Sequence, residues 1–172
     1  MSNEISQLSI KALLSGSVEY VIPMYQRNYA WEEGEITQLI QDVIDYLPMT
    51  SDKARNYYIG TLVVYERPDS KTPVFETIDG QQRLTTLSLL TSYLKNTRLV
   101  DLAWYSTLSI HFDSRENSRA TFAAIFEGKF NDDPAEVLVE RQINTGILNG
   151  YRLIQKVLPQ KLKEKGISRS EE

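Results

Sequence analysis

Hydrophobic positions along the chain recur at two spacings, near 3.6 and near 2, and the changes from one to the other mark the elements. Leu8, Ile10, Leu13 and Leu14 fit one or two helical turns, ended by Ser15-Gly16-Ser17. Residues 18–22 are extended, rich in β-branched and aromatic side chains, and closed by Pro23. The clearest helix follows, where Ile36, Leu39, Ile40, Val43, Ile44 and Leu47 form one apolar stripe. Glu32, Glu33 and Glu35 stand at its start, where negative charge suits the helix dipole, and Pro48 stops it. Residues 57–65 are nearly continuous in apolar or β-branched side chains, which predicts a central strand covered on both faces. A turn is expected over residues 67–71 and a second strand over residues 74–78, too short for its alternation to fix the inward face.

After Asp79-Gly80 the period lengthens, and Leu84, Leu87, Leu90, Thr91 and Leu94 share a helical face. Residues 108–112 suggest another strand, and a short helix over about 115–126 is capped by Asp113 or Ser114. Asp133-Pro134 carries the signature of a longer helix, with a stripe of Ile143, Ile147, Tyr151, Ile154 and Leu158 that Gly146 and Gly150 weaken or kink. The charged tail over residues 161–172 is expected to fray. Strands and helices mix in the first half and helices alone fill the second, so the class is α+β with a helical C-terminal part.

Composition narrows the function classes. At 172 residues the chain is one domain, or one domain with a helical extension, and 41% hydrophobic content allows a sizeable core. Cysteine is absent, which excludes disulfides and thiolate metal sites and suits the cytosol. Residues 1–7 are polar and lack the basic and apolar regions of a signal peptide. Apolar stretches stay far below the roughly 18 residues that span a bilayer, so a cytoplasmic protein without a membrane partner is expected. The net charge of −4 argues against indiscriminate binding of DNA or RNA.

Chemistry is most concentrated at Asp79-Gly80-Gln81-Gln82-Arg83, where a strand feeds a glycine and a helix begins at once. A helix start offers unpaired amides and the positive dipole end to an anion, and glycine lets a ligand approach the backbone. Arg83 brings a planar fork of donors suited to phosphate oxygens, and Asp79 is a carboxylate suited to Mg²⁺. The structural alternative makes Asp79 an N-cap, Gly80 a turn and Arg83 a solvated surface residue. Physical reasoning alone leaves the two accounts level. A second segment, residues 22–31, interleaves Tyr25, Tyr29 and Trp31 with Gln26, Arg27 and Asn28, a mixture suited to a base, sugar or phosphate. Here Trp31 is better read as a hydrophobic staple for the following helix, and Gln26 and Arg27 as functional.

Other polar residues carry less. His111, among Leu108, Ile110 and Phe112, is a strand or core residue rather than a catalytic base. Asp113, Arg115, Glu116 and Arg119 are read most simply as a capped helix start with exposed pairs, in preference to the alternative of a contact to nucleotide or DNA. Asp132 and Asp133 lack the alternating oxygen ligands of a calcium loop.

The two segments, in this order, resemble the N-terminal domain of GmrSD-type, modification-dependent (type IV) restriction proteins, which is marked by a DGQQR motif and is ParB/sulfiredoxin-like. Pro23-Met24-Tyr25-Gln26-Arg27 stands for the first box, Tyr58-Ile59-Gly60-Thr61-Leu62 for the intervening strand, and Asp79-Gly80-Gln81-Gln82-Arg83 for the second box, over roughly residues 18–95. The resemblance implies a small mixed sheet with flanking helices over residues 1–112, and a helical extension over residues 113–172. It also implies binding and hydrolysis of a nucleoside triphosphate with Mg²⁺ in a phage-defence system. Tyr25, Gln26, Arg27, Gly80, Gln81, Gln82, Arg83 and Thr85 would hold the nucleotide. Asp79, Gln82 and Arg83 would serve catalysis, with Asp79 acting through the metal or positioning water. Modified DNA and an HNH-type nuclease domain or subunit are the implied partners. A chain with one histidine supplies no such nuclease centre itself. The competing expectation is a non-enzymatic DNA-binding or structural subunit that docks a separate nuclease.

Overall fold

A computed structural model describes residues 5–47, 57–68, 71–130 and 142–167. In chain order the elements are α1 (Ile10–Leu14), β1 (Glu19–Ile22), α2 (Glu33–Asp45), β2 (Val63–Glu66), β3 (Val74–Asp79), α3 (Gln81–Asn96), β4 (Ile110–Phe112), α4 (Glu116–Phe126) and α5 (Thr145–Glu164). The α+β expectation holds: a four-stranded mixed sheet, ordered β2-β3-β1-β4, is flanked by helices and followed by a C-terminal helix.

Strand β1 is the hub. It pairs in parallel with β3, Tyr20 opposite Phe75, and with β4, Tyr20 opposite Ile110. Strand β2 joins β3 antiparallel, with the register broken between Val63 and Val64. Parallel neighbours require crossovers, so α2 lies between β1 and β3 in the chain and α3 between β3 and β4. The carboxyl ends of β1, β3 and β4 therefore open on one edge of the sheet, where α/β sheets commonly place ligands.

Alternation along the strands identifies the inward face. Tyr20, Ile22, Ile110 and Phe112 enter the core, while Glu19 and Ile78 are exposed and His111 is half-buried. Ile36, Ile40 and Ile44 of α2, Leu84 and Leu89 of α3, Phe122 and Ile125 of α4, and Ile147, Tyr151 and Ile154 of α5 complete one continuous cluster. Each such side chain contributes about 1.5–3 kcal/mol by leaving water.

Helix α3 departs from the expected single apolar face. It is buried around most of its circumference, and four of its hydroxyls are satisfied along the helix, whereas Ser88 Oγ is buried without a partner among the described residues. The hydroxyls of Thr85, Thr86, Thr91 and Ser92 donate to the carbonyls of Gln81, Gln82, Leu87 and Ser88 at 2.8–2.9 Å. Back-bonding removes the cost of burying those hydroxyls, so serine and threonine pass as core residues.

Three further expectations are corrected. Only Val63–Glu66 of the predicted central strand is a strand, and it lies at the sheet edge, with Val63 47% and Tyr65 43% exposed. Of the preceding residues, Tyr57 packs on α2 instead, while Tyr58 is exposed. The Tyr57 ring lies 4.8 Å from that of Tyr46 and its hydroxyl donates to Asp42 at 2.7 Å. Helix α4 is capped at Arg115 rather than Asp113 or Ser114, because Ser114 takes a φ of 53° and Asp113 is paired with Arg67. Helix α5 continues to Glu164, so residues 161–164 stay helical where fraying was expected. Its described start is Thr145, with the Asn144 side chain accepting from the Ile147 amide at 3.0 Å. The start expected at Asp133-Pro134, the stop at Pro48, part of the 67–71 turn and the end of the tail lie outside the described residues.

Gly146 and Gly150 have a different role from the one expected. A Cβ on Gly146 would stand 2.6 Å from the Tyr29 carbonyl oxygen, and one on Gly150 2.6 Å from Tyr29 Cε1. The two glycines form a seat for Tyr29 against α5. No described helix is long and apolar enough to cross a membrane.

Candidate functional site

Residues 23–31 leave the end of β1 and are fastened to every neighbouring element. The Gln26 amide closes a turn on the Pro23 carbonyl at 3.1 Å. The Gln26 side chain donates from Nε2 to the Ile78 carbonyl at 2.8 Å, which ties the loop to the end of β3. Gln82, in the first turn of α3, holds the loop backbone at both ends of its amide: Oε1 accepts from Ala30 N at 2.9 Å and Nε2 donates to Asn28 O at 3.0 Å. Tyr29 is buried, with its hydroxyl 2.7 Å from Thr86 Oγ1. Burial pushes its pKa up to about 12, although the Thr86 hydrogen bond acts in the opposite direction. The two motif segments therefore meet. They do so mainly through backbone carbonyls and amides.

The start of α3 has the form an anion requires. Gly80 takes a φ of 89°, and a Cβ there would come within 2.9 Å of the Thr61 carbonyl oxygen, so glycine is required twice over. No side chain caps the first turn, and Asp79 stands exposed at the end of β3 rather than serving as the cap. Gln81 is 7% exposed, but its side-chain amide is not among the buried polar atoms left without a partner, which among the described residues are Ser88 Oγ and Ser109 Oγ. Arg83 is half-buried and donates from Nη1 to the Thr61 carbonyl at 3.0 Å, packed over Gly60, with its remaining donors uncommitted.

A second set of charges ties the loop to the outer face of the sheet. The Tyr25 hydroxyl donates to Glu76 Oε1 at 2.6 Å, Arg67 Nε donates to Glu76 Oε2 at 2.9 Å, and Arg67 Nη2 donates to Asp113 Oδ2 at 2.5 Å. The hydrogen bond from Tyr25 and then that from Arg67 hold the Glu76 carboxyl below its ordinary range, and the same Tyr25–Glu76 bond raises the phenol. The Arg67 guanidinium is raised by its hydrogen bonds to Asp113 and Glu76.

Arg83 also lines a cleft of about 610 Å³ between α2 and residues 57–59. Trp31, Tyr57 and Ile59 give it an apolar wall, while Glu32, Glu33, Glu35 and Asp42 make it acidic, with Arg83 its one cation. Trp31 also occupies the position before the α2 cap, where a staple residue belongs, and packs on the core.

Of the residues singled out in the sequence, Tyr25, Gln26, Arg27, Asp79, Gly80, Gln81, Gln82 and Arg83 gather at the carboxyl edge of the sheet. Three of the residues singled out in the sequence spend side-chain groups on the scaffold, Gln26 among them through its bond to the Ile78 carbonyl. Gln82 spends its amide on the loop, and Thr85, 1% exposed, spends its hydroxyl on Gln81. Among the described residues no three His, Asp, Glu or Cys side chains cluster as a metal site, at Asp79 or elsewhere. Sequence reasoning missed the seat of Tyr29 between α3 and α5, for which the sequence carries no signal. It also missed Arg115, whose guanidinium donates to the carbonyls of Met24, Gln26 and Arg27. Arg115 was visible only as a member of a charge cluster.

No curated protein matches the chain. The family model of the GmrSD restriction endonuclease N-terminal domain matches residues 10–168, which takes in the sheet, both motif segments and α5. The chain belongs to the family of GmrSD restriction endonuclease N-terminal domains, and its role lies in a restriction system.

Proposed function

We propose that this chain binds a nucleoside triphosphate at the start of α3 and hydrolyses it, as the sensing step of a phage-defence system that restricts modified DNA. The observation that carries the reading is the uncapped, left-handed entry to a buried helix at Gly80, with the spare donors of Arg83 in the first turn. First-turn amides and a guanidinium on one side of a glycine suit phosphate oxygens.

In this reading the backbone of residues 80–83, Gln81 and Arg83 hold the phosphates. Tyr25, Gln26 and Arg27 form the facing wall, and Gln82 and Thr85 are scaffold. Asp79 is exposed beside the same turn and would hold Mg²⁺ or orient the attacking water. A carboxylate outside any cluster of three fits magnesium, which takes one or two carboxylates and completes its shell from phosphate and water. When bound, the ion supplies charge neutralisation on the phosphate oxygens. The acidic cleft that Arg83 lines disfavours DNA backbone as its occupant and sets a repulsive boundary that keeps the phosphates on the α3 side. The family setting brings in DNA and a nuclease, and the latter's chemistry would come from another domain or subunit: the single histidine, His111, sits on the sheet 4.0 Å from Glu19.

Isothermal titration of the folded protein with ATP, GTP, CTP and UTP, with and without magnesium, tests the proposal. Saturable binding of at least one triphosphate, strengthened by magnesium, is expected. Absence of binding by all of them would refute it.

A further inference from the structure

We infer that Arg115 is a positioning residue, which sets the conformation of residues 24–27 and thereby the affinity of the site without touching the ligand. This rests on the reading of that loop as one wall of the triphosphate site. Arg115 follows the left-handed Ser114 just after β4 and stands at the N-cap position of α4, so its backbone is held between two regular elements. Its guanidinium donates from Nη2 to the carbonyls of Met24, at 3.0 Å, and Gln26, and from Nη1 to that of Arg27 at 3.4 Å.

Carbonyl oxygens turned towards one another repel, and a loop does not hold them so without a cation between them. A guanidinium offers five donors in a rigid plane and satisfies such a ring in one geometry, whereas an ammonium is a point charge without that directionality. With its carbonyls turned to Arg115, the loop presents Tyr25 and Arg27 outward, and both are exposed. The neighbouring Asp113 secures the same loop by a second route, through Arg67 and Glu76 to the Tyr25 hydroxyl. One junction, residues 113–115, thus grips the loop by its backbone and by a side chain.

The test compares wild type, Arg115→Ala and Arg115→Lys. Hydrogen exchange of the ligand-free protein reads the Gln26 amide, bonded within the loop to Pro23, against amides of α3 and α5 as controls. Titration with magnesium and whichever triphosphate the wild type binds reads affinity. We expect Gln26 exchange to rise at least roughly tenfold in Arg115→Ala with the control amides unchanged, and affinity to fall by a similar factor. Arg115→Lys should recover part of both effects, and millimolar guanidinium added to Arg115→Ala should recover more of the binding than the same concentration of ammonium. Unchanged exchange at Gln26 in both variants would overturn the inference, as would full wild-type affinity in Arg115→Ala. A wild type that binds no triphosphate, with exchange behaving as expected, would instead defeat the proposed ligand and leave Arg115 as the organiser of the loop.

Discussion

Gln82 and Arg83 are adjacent in the chain and have opposite duties. Gln82 completes the backbone of residues 28–30, so Gln82→Ala leaves Ala30 N and Asn28 O without their partner. Each unsatisfied group costs about 1–3 kcal/mol, and urea unfolding should register a loss of that order. Arg83 gives one hydrogen bond to Thr61, and in the proposed function the rest of its fork serves the ligand. Arg83→Ala should therefore weaken triphosphate binding by about 1.5–3 kcal/mol, roughly ten- to hundredfold, with little change in the unfolding midpoint. Titration calorimetry beside thermal melting separates the two effects. Glu76 makes a pH prediction. Its carboxyl is held below the ordinary range by Tyr25 and Arg67, so its contribution is complete above the unfolded-state value and is lost as pH falls through the lowered folded value. Stability of Glu76→Gln should be lower than wild type at neutral pH and should decline less steeply across that acid window.

Elements differ in how much of them the sequence displays. Helices α2 and α5 are legible because their apolar residues recur on one face, and β1 and β3 because β-branched residues precede a proline or a glycine. The edge position of β2 is not legible: an apolar run looks the same whether it pairs in a sheet or, as at Tyr57, packs on a helix. Helix α3 hides its burial behind threonine and serine, whose hydroxyls are satisfied only once the helix exists. The glycines of α5 look like defects until Tyr29 is seen against them. That contact gives a test with a sign opposite to helix propensity. Alanine in place of glycine within a helix ordinarily gains about 1 kcal/mol. At Gly146 the added carbon would meet the Tyr29 carbonyl, so Gly146→Ala should instead destabilise by about 1–3 kcal/mol in chemical denaturation.

Across the whole molecule, the site is where three parallel strands end and where the C-terminal helix reaches back to the motif loop. The sheet aims residues 23–31, 79–83 and 113–115 at one edge, and α5 closes on that edge through Tyr29. The candidate site was legible as two motif segments, because glycine before a helix and a cation in its first turn are local features. The parts that hold it together are long-range: Arg115 is 91 positions from Met24, and Gln82 is 54 from Asn28. Pattern along a chain does not show such pairings. Family membership supplies the restriction setting, and the uncapped start of α3 is the place within it where the proposed phosphate site can be tested. The most direct measurement is a backbone amide NMR titration with magnesium and the triphosphates. The largest shifts should fall on Gly80, Gln81, Arg83 and residues 25–27. Shifts confined to the cleft around Trp31 and Tyr57, or none at the start of α3, would contradict the account.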